Sequence, residues 1–222
     1  MLNRDNEQNM FIYKIYRFIA KILILIFWPV KIKGEAVSSY KNSFILAANH
    51  ISYLDPVILA IAVSRPINFI AKKEVFNLPI LAGIFKRIGV IAVDRENINP
   101  AAIKKSIALL NEGHILGIFP EGTRSLDGEL LELNHGVIKI ALQTNVPIVP
   151  VGLSGTHEIY PPHAKFPAIF KRQIICIYFG KPIYLDADKK KNNEYIRESL
   201  LTIENQIREL TRLAKMVSMG LE

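Results

Sequence analysis

After Gly34 the chain alternates between two hydrophobic periodicities, and that alternation limits its fold more than any other feature. Short runs rich in β-branched and apolar residues, at 44–48, 67–71, 90–93, 115–119, 148–152 and 174–179, predict strands. Stretches with helical spacing lie between them. Strands interleaved with helices predict an α/β fold, here a mixed sheet flanked by helices. Asn99-Pro100 supplies an N-cap followed by proline at the first helical position, and Gly113 is a fitting stop, so a helix is expected over 100–112. Near the C-terminus Ile196, Leu200, Ile203, Ile207, Leu210, Ala214 and Val217 recur at spacings of four and three, which is the single apolar stripe of a long helix. Core packing is the common use of such a stripe, and a coiled-coil partner is the alternative.

The first 34 residues differ from the rest. Residues 10–30 are strongly apolar, yet the longest unbroken run, 22–30, is too short for a bilayer core that needs about 20 residues. On a helix Ile15, Ile19, Ile22 and Ile26 fall along one side, and Lys14, Arg17 and Lys21 gather on another. This predicts an amphipathic membrane-interface segment at 1–34 ahead of a domain at 35–222. Its basic residues favour an anionic cytoplasmic leaflet. Packing on the protein's own core is the competing reading. Asp5, Glu7 and the lack of a cleavage site argue against a secretory signal.

Lys plus Arg total 28 against 20 acidic residues, a net charge of +8, which calls for an anionic partner. The basic residues are dispersed rather than interleaved with a row of aromatics, so nucleic acid is disfavoured. A single cysteine, Cys176, excludes an intramolecular disulfide and a cysteine zinc site. The five histidines show no ligand spacing, so no metal is expected. Neither a dinucleotide fingerprint nor a P-loop is present, and residues 152–156 lack the second glycine of a hydrolase nucleophile elbow.

Four segments carry chemistry. Asn49-His50-Ile51-Ser52-Tyr53-Leu54-Asp55-Pro56 follows the first expected strand, where α/β sheets place ligands. A turn would let Asp55 hold one nitrogen of His50 and leave the other as a general base; alternatively Asp55 is an N-cap supported by Ser52. Phe119-Pro120-Glu121-Gly122-Thr123-Arg124-Ser125 combines a permissive glycine, hydroxyls and a guanidinium, which suits an anion, or it is a plain turn with a surface arginine. Gly89-Val90-Ile91-Ala92-Val93-Asp94-Arg95 delivers a second arginine at a strand end. The prolines of Val146-Pro147-Ile148-Val149-Pro150-Val151 belong on a sheet edge or at a strand boundary.

In this order the four segments closely resemble the sequence blocks of the glycerophospholipid acyltransferases, among them the 1-acylglycerol-3-phosphate acyltransferases. The resemblance spans residues 44–155. It implies that His50 and Asp55 carry catalysis and that Arg95, Glu121, Gly122, Thr123 and Arg124, with Lys72, shape the site for the acceptor's phosphate. The implied reaction moves an acyl chain from a thioester, acyl-CoA or acyl-carrier protein as co-substrate, to the free hydroxyl of a membrane lysophospholipid, with no other cofactor. The best match is 1-acylglycerol-3-phosphate going to phosphatidic acid. A different lysolipid acceptor, or a non-enzymatic basic module on the membrane surface, are the alternatives.

Overall fold

A computed structural model describes residues 2–72, 91–93 and 100–221, with side chains for 11–70 and 100–221. Its strands are β1 (Val30–Gly34), β2 (Phe44–Ala48), β3 (Ile67–Lys72), β4 (Ile91–Val93), β5 (Ile115–Ile118), β6 (Ile148–Ser154) and β7 (Ile175–Phe179). Its helices are α1 (Leu2–Phe27), α2 (Asp55–Ala62), α3 (Pro100–Asn111), α4 (Gly136–Thr144), the single turn α5 (Thr156–Ile159) and α6 (Asn193–Ser218). Among the described residues seven strands form one sheet in the order β1-β7-β6-β2-β5-β3-β4. The five from β6 to β4 are mutually parallel; β7 runs antiparallel to β6, with β1 parallel to β7. The mixed α/β sheet expected from the sequence is therefore present.

Period-2 alternation divides the core between the two faces of the sheet. Phe44, Leu46 and Ala48 of β2 pack with Ile58 and Leu59 of α2 and with Trp28. Ile45 and Ala47 pack on the other side with Val137 and Ile138 of α4 and Ile203 and Ile207 of α6. All seven residues of the C-terminal stripe are buried. Helix α6 lies so close to β6 that a Cβ on Gly152 would stand 2.2 Å from the Leu210 carbonyl carbon. Only glycine permits that approach.

The structure departs from the sequence reading in three places. Pro150 lies inside β6, an interior strand. It costs no ladder bond because the β6–β7 ladder begins at Val151, and before it only Ile148 bridges to Ile183. Pro150 itself accepts from the Gly180 N–H at 2.9 Å, a bond that needs no proline N–H. Next, residues 30–34 are a strand of the sheet, and Ile24 and Trp28 before them belong to its core.

Arg17, expected beside Lys14 and Lys21 on an outward basic face, instead turns inward. Its Nε and Nη2 donate to the carbonyls of Ala60 at 2.9 Å and Ile61 at 3.2 Å. The last carbonyls of a helix lack intrahelical partners, and a guanidinium satisfies two of them on α2. Tyr13, Arg17, Ala20 and Ile24, one row along α1, thus form its inner side. The stripe of Ile15, Ile19, Ile22 and Ile26 faces outward, with Ile26 67% exposed. Among the described residues no helix is long and apolar enough to cross a membrane.

Candidate active site

Strands β6, β2 and β5 are parallel neighbours, so their carboxyl ends reach one edge of the sheet together. The segments that follow them bring Thr156, His50 and Phe119 to that edge, the usual ligand position of such sheets. Asn49 pins the first of these. Its side chain, fully buried, accepts from the Leu153 N–H at 2.7 Å and donates to the Leu153 carbonyl at 3.0 Å, standing in for a strand pair.

From His50 to Asp55 the chain makes a tight turn around one carboxylate. Oδ2 of Asp55 accepts from the N–H groups of Ile51 and Ser52, both at 2.7 Å, and lies 2.8 Å from His50 Nδ1. Oδ1 accepts from the Thr156 hydroxyl at 2.6 Å. Although Asp55 opens α2, its carboxylate points back across the preceding loop. The cap residue is Leu54, which makes no side-chain capping bond. The N-cap alternative is therefore not the observed geometry, and the helix contributes the positive end of its dipole to a buried anion.

Because a carboxylate only accepts, Nδ1 is assigned as the donor and Nε2 as the acceptor. The ring stacks on Phe119, with centroids 4.0 Å apart and planes 17° apart, and Phe119 in turn stacks on Phe69. Carboxylate and aromatic face together fix the imidazole plane. Its side chain is 18% exposed, so solvent or substrate reaches one edge, and among the described residues nothing hydrogen-bonds Nε2.

The loop after β5 grips the same histidine. Glu121 Oε1 accepts from the His50 N–H at 2.6 Å, and the Ser125 N–H donates to the His50 carbonyl at 2.8 Å. Glu121 Oε2 accepts from the Leu131 N–H at 2.9 Å. Burial pushes the Glu121 carboxyl up to about 7, opposed by these two N–H donors and reinforced slightly by the charge of Asp55. Arg124 lays its guanidinium 3.4 Å from the centroid of the Tyr53 ring, and Tyr53 packs on Tyr160 at 5.2 Å. Arg124 Nη1 is buried and meets no acceptor among the described residues.

With this geometry in place, the family model described as Acyltransferase matches residues 29–154, more than half of the chain, including the His50–Asp55 turn and the loop after β5. The chain belongs to the Acyltransferase family. A Bacillus subtilis 1-acyl-sn-glycerol-3-phosphate acyltransferase is 32% identical over 173 residues, 76% of this chain and 82% of that protein. A protein of the same name from Borreliella burgdorferi is 33% identical over 165 residues, 73% of this chain and 63% of its own length. The crystal structure of the 1-acyl-sn-glycerophosphate acyltransferase from Thermotoga maritima superposes with a TM-score of 0.74, covering 93% of this chain and 82% of that one at 24% identity. That likeness shows the fold.

In this acyltransferase the expected site residues separate into groups. His50 and Asp55 are in contact, and Gly122, Thr123 and Arg124 lie on the loop beside them, with Gly122 at φ +69°. Glu121, expected to help shape the acceptor's phosphate site, sits behind the loop that carries Arg124. Its carboxylate is buried and committed to two backbone donors, so it braces the loops around His50. The Lys72 backbone ends β3 on the same edge, whereas its side chain and all of Arg95 lie outside the described residues. Asn49 as a clamp, Phe119 as a stacking face and Thr156 as a carboxylate partner were not singled out from sequence. The signal for Thr156 is the strand order, which places the end of β6 beside that of β2.

Proposed function

We propose that this acyltransferase moves an acyl chain from an acyl thioester, acyl-CoA or acyl-carrier protein, to the free hydroxyl of 1-acylglycerol-3-phosphate. The product is phosphatidic acid. The observation that carries the mechanism is the 2.8 Å contact of His50 Nδ1 with a buried Asp55, which leaves Nε2 without a hydrogen bond among the described residues, on a side chain that is part-exposed. In this reading Nε2 takes the hydroxyl proton as the oxygen attacks the thioester carbonyl carbon. Asp55 stabilises the imidazolium that forms. Collapse of the tetrahedral adduct breaks the carbon–sulfur bond. The thiolate, whose conjugate acid has a pKa of about 8.5, leaves readily and takes up the proton held by His50.

The acceptor's identity rests on the relatives' names and on Arg124, whose buried Nη1, without an acceptor among the described residues, suits a phosphate oxygen. Lys72 and Arg95 complete the phosphate site on the resemblance. Helix α1 lies in the membrane interface on the cytoplasmic side, its outward isoleucine stripe in the acyl boundary. That stripe is what favours the membrane over a helix serving only the core.

Purified full-length chain in detergent, given labelled acyl-CoA or acyl-carrier protein and a panel of lysophospholipids, tests the reading. Lysophosphatidic acid should be acylated in preference to neutral and zwitterionic acceptors, and His50→Ala should lower turnover by about 100-fold or more with the fold retained. Equal use of every acceptor, or normal turnover by the folded variant, contradicts it.

A further inference from the structure

The reaction above gives no role to the segment 160–172 between α5 and β7. It leaves Phe166 82% exposed and Phe170 91% exposed, with Ile169 at 38%. It also carries Lys165, Lys171 and Arg172 and no acidic residue. The loop is nonetheless ordered by its own backbone. Ala164 donates to Pro161 at 3.0 Å, Lys171 to Ala168 at 3.0 Å, and Ala168 to Ile159 at 2.8 Å. The two rings are thus presented to water by a folded scaffold.

We infer that this loop is a second membrane-contacting element, seating Phe166 and Phe170 in the interface of an anionic bilayer beside α1. The inference rests on the reading that α1 lies on the membrane. Three observations commit the surface to lipid. The loop is continuous with α1: Trp28 Nε1, just beyond that helix, donates to the Lys171 carbonyl at 3.1 Å. Trp28, Arg172 and Met219 line a shared cleft of about 550 Å³. Its composition, bulky aromatics flanked by cations, is that of interfacial segments on anionic lipid. A second copy docked symmetrically would set these cations against their own counterparts.

The loop is also tied to the active site. The Tyr160 carbonyl accepts from the Ser52 hydroxyl at 2.7 Å, and Tyr160 packs on the Tyr53 ring that carries Arg124. A lipid headgroup at the loop would lie on a path leading to Arg124, so docking here shortens the acceptor's exit from the bilayer.

Flotation of full-length protein with phosphatidylethanolamine–phosphatidylglycerol vesicles tests this, comparing Phe166→Ser/Phe170→Ser on the loop with Phe18→Ser/Ile26→Ser on α1. The loop variant should keep its melting temperature, since both rings are exposed, and lose roughly 10-fold or more in vesicle partitioning. Its apparent KM for vesicle-borne acceptor should rise while kcat with detergent-dispersed acceptor holds. Lys165→Gln/Lys171→Gln/Arg172→Gln should reduce the preference for anionic over phosphatidylcholine vesicles by ~5-fold per cation. Wild-type partitioning by the loop variant overturns the inference, and if the α1 variant alone detaches, the α1 reading stands without it. Detachment of the loop variant alone removes the α1 reading and overturns the inference of a second element beside it. Unchanged partitioning accompanied by an altered oligomeric state, or by weaker binding of an acidic carrier protein, assigns the surface to a protein and overturns the inference. None of these binding outcomes requires turnover, so a failure of the proposed chemistry is read separately.

Discussion

Replacing Asp55 by Asn separates an electrostatic role of this residue from a purely architectural one. The carboxylate is fully buried and accepts four hydrogen bonds, from His50 Nδ1, the Ile51 and Ser52 N–H groups and the Thr156 hydroxyl. An asparagine can place its carbonyl where three of these donors converge and turn its amide toward Thr156, whose hydroxyl rotates to accept. The His50, Ile51 and Ser52 donors stay matched, but the Thr156 hydroxyl hydrogen loses its acceptor and three bonds change from charged to neutral, at about 1 kcal/mol each. Relief from burying an ion offsets part of that. The net loss of stability should be about 1–2 kcal/mol, against about 3–5 kcal/mol for Asp55→Ala, which leaves the donors unmatched. Turnover should respond far more strongly. The imidazolium formed at His50 loses its counter-charge, so kcat should fall by about two to three orders of magnitude with little change in either KM. The assay pairs denaturant unfolding with steady-state kinetics on the same preparations. A folded Asn variant whose kcat stays near wild type would falsify the general-base dyad and leave Asp55 as a loop organiser.

Thr156→Val removes the hydroxyl opposite Asp55 Oδ1 at nearly constant shape, so kcat should drop about 10-fold at unchanged KM, and Thr156→Ser should restore it; a loss that Ser does not restore refutes the positioning role. Arg124→Ala should raise the acceptor KM by about 10- to 100-fold at constant donor KM, and a rise in the donor KM instead would assign this guanidinium to the donor. For Glu121, burial raises the carboxyl from 4.5 to about 7, so between these values the folded chain holds a proton that the unfolded chain has released. Folding stability should therefore fall as pH rises across that window, by roughly 3 kcal/mol, and unfolding midpoints of Glu121→Gln measured from pH 4.5 to 7.5 should lack that slope.

Local periodicity and local chemistry determined much of this protein by themselves. A stripe repeating at helical spacing must face one side wherever the helix lies, which is why all seven residues from Ile196 to Val217 are buried as read. The same holds for β2, whose uniformly apolar run marks a strand covered on both faces, whereas the turn that joins His50 to Asp55 was one of two readings of its segment and is held by local and remote bonds together. What only the tertiary structure decided is what depends on neighbours remote in sequence. Strand order brought Thr156 to Asp55 across 101 residues, and turned Glu121 inward to the N–H of His50 across 71. Arg17 found the open carbonyls of α2, reversing its expected orientation on α1. Pro150 could occupy an interior strand because the ladder to β7 begins only at Val151 and asks of Pro150 an acceptor, not a donor. Hydrophobic periodicity fixes which face of an element is covered. Which backbone groups are left without partners, and which side chains come to satisfy them, is set only once the elements are packed together.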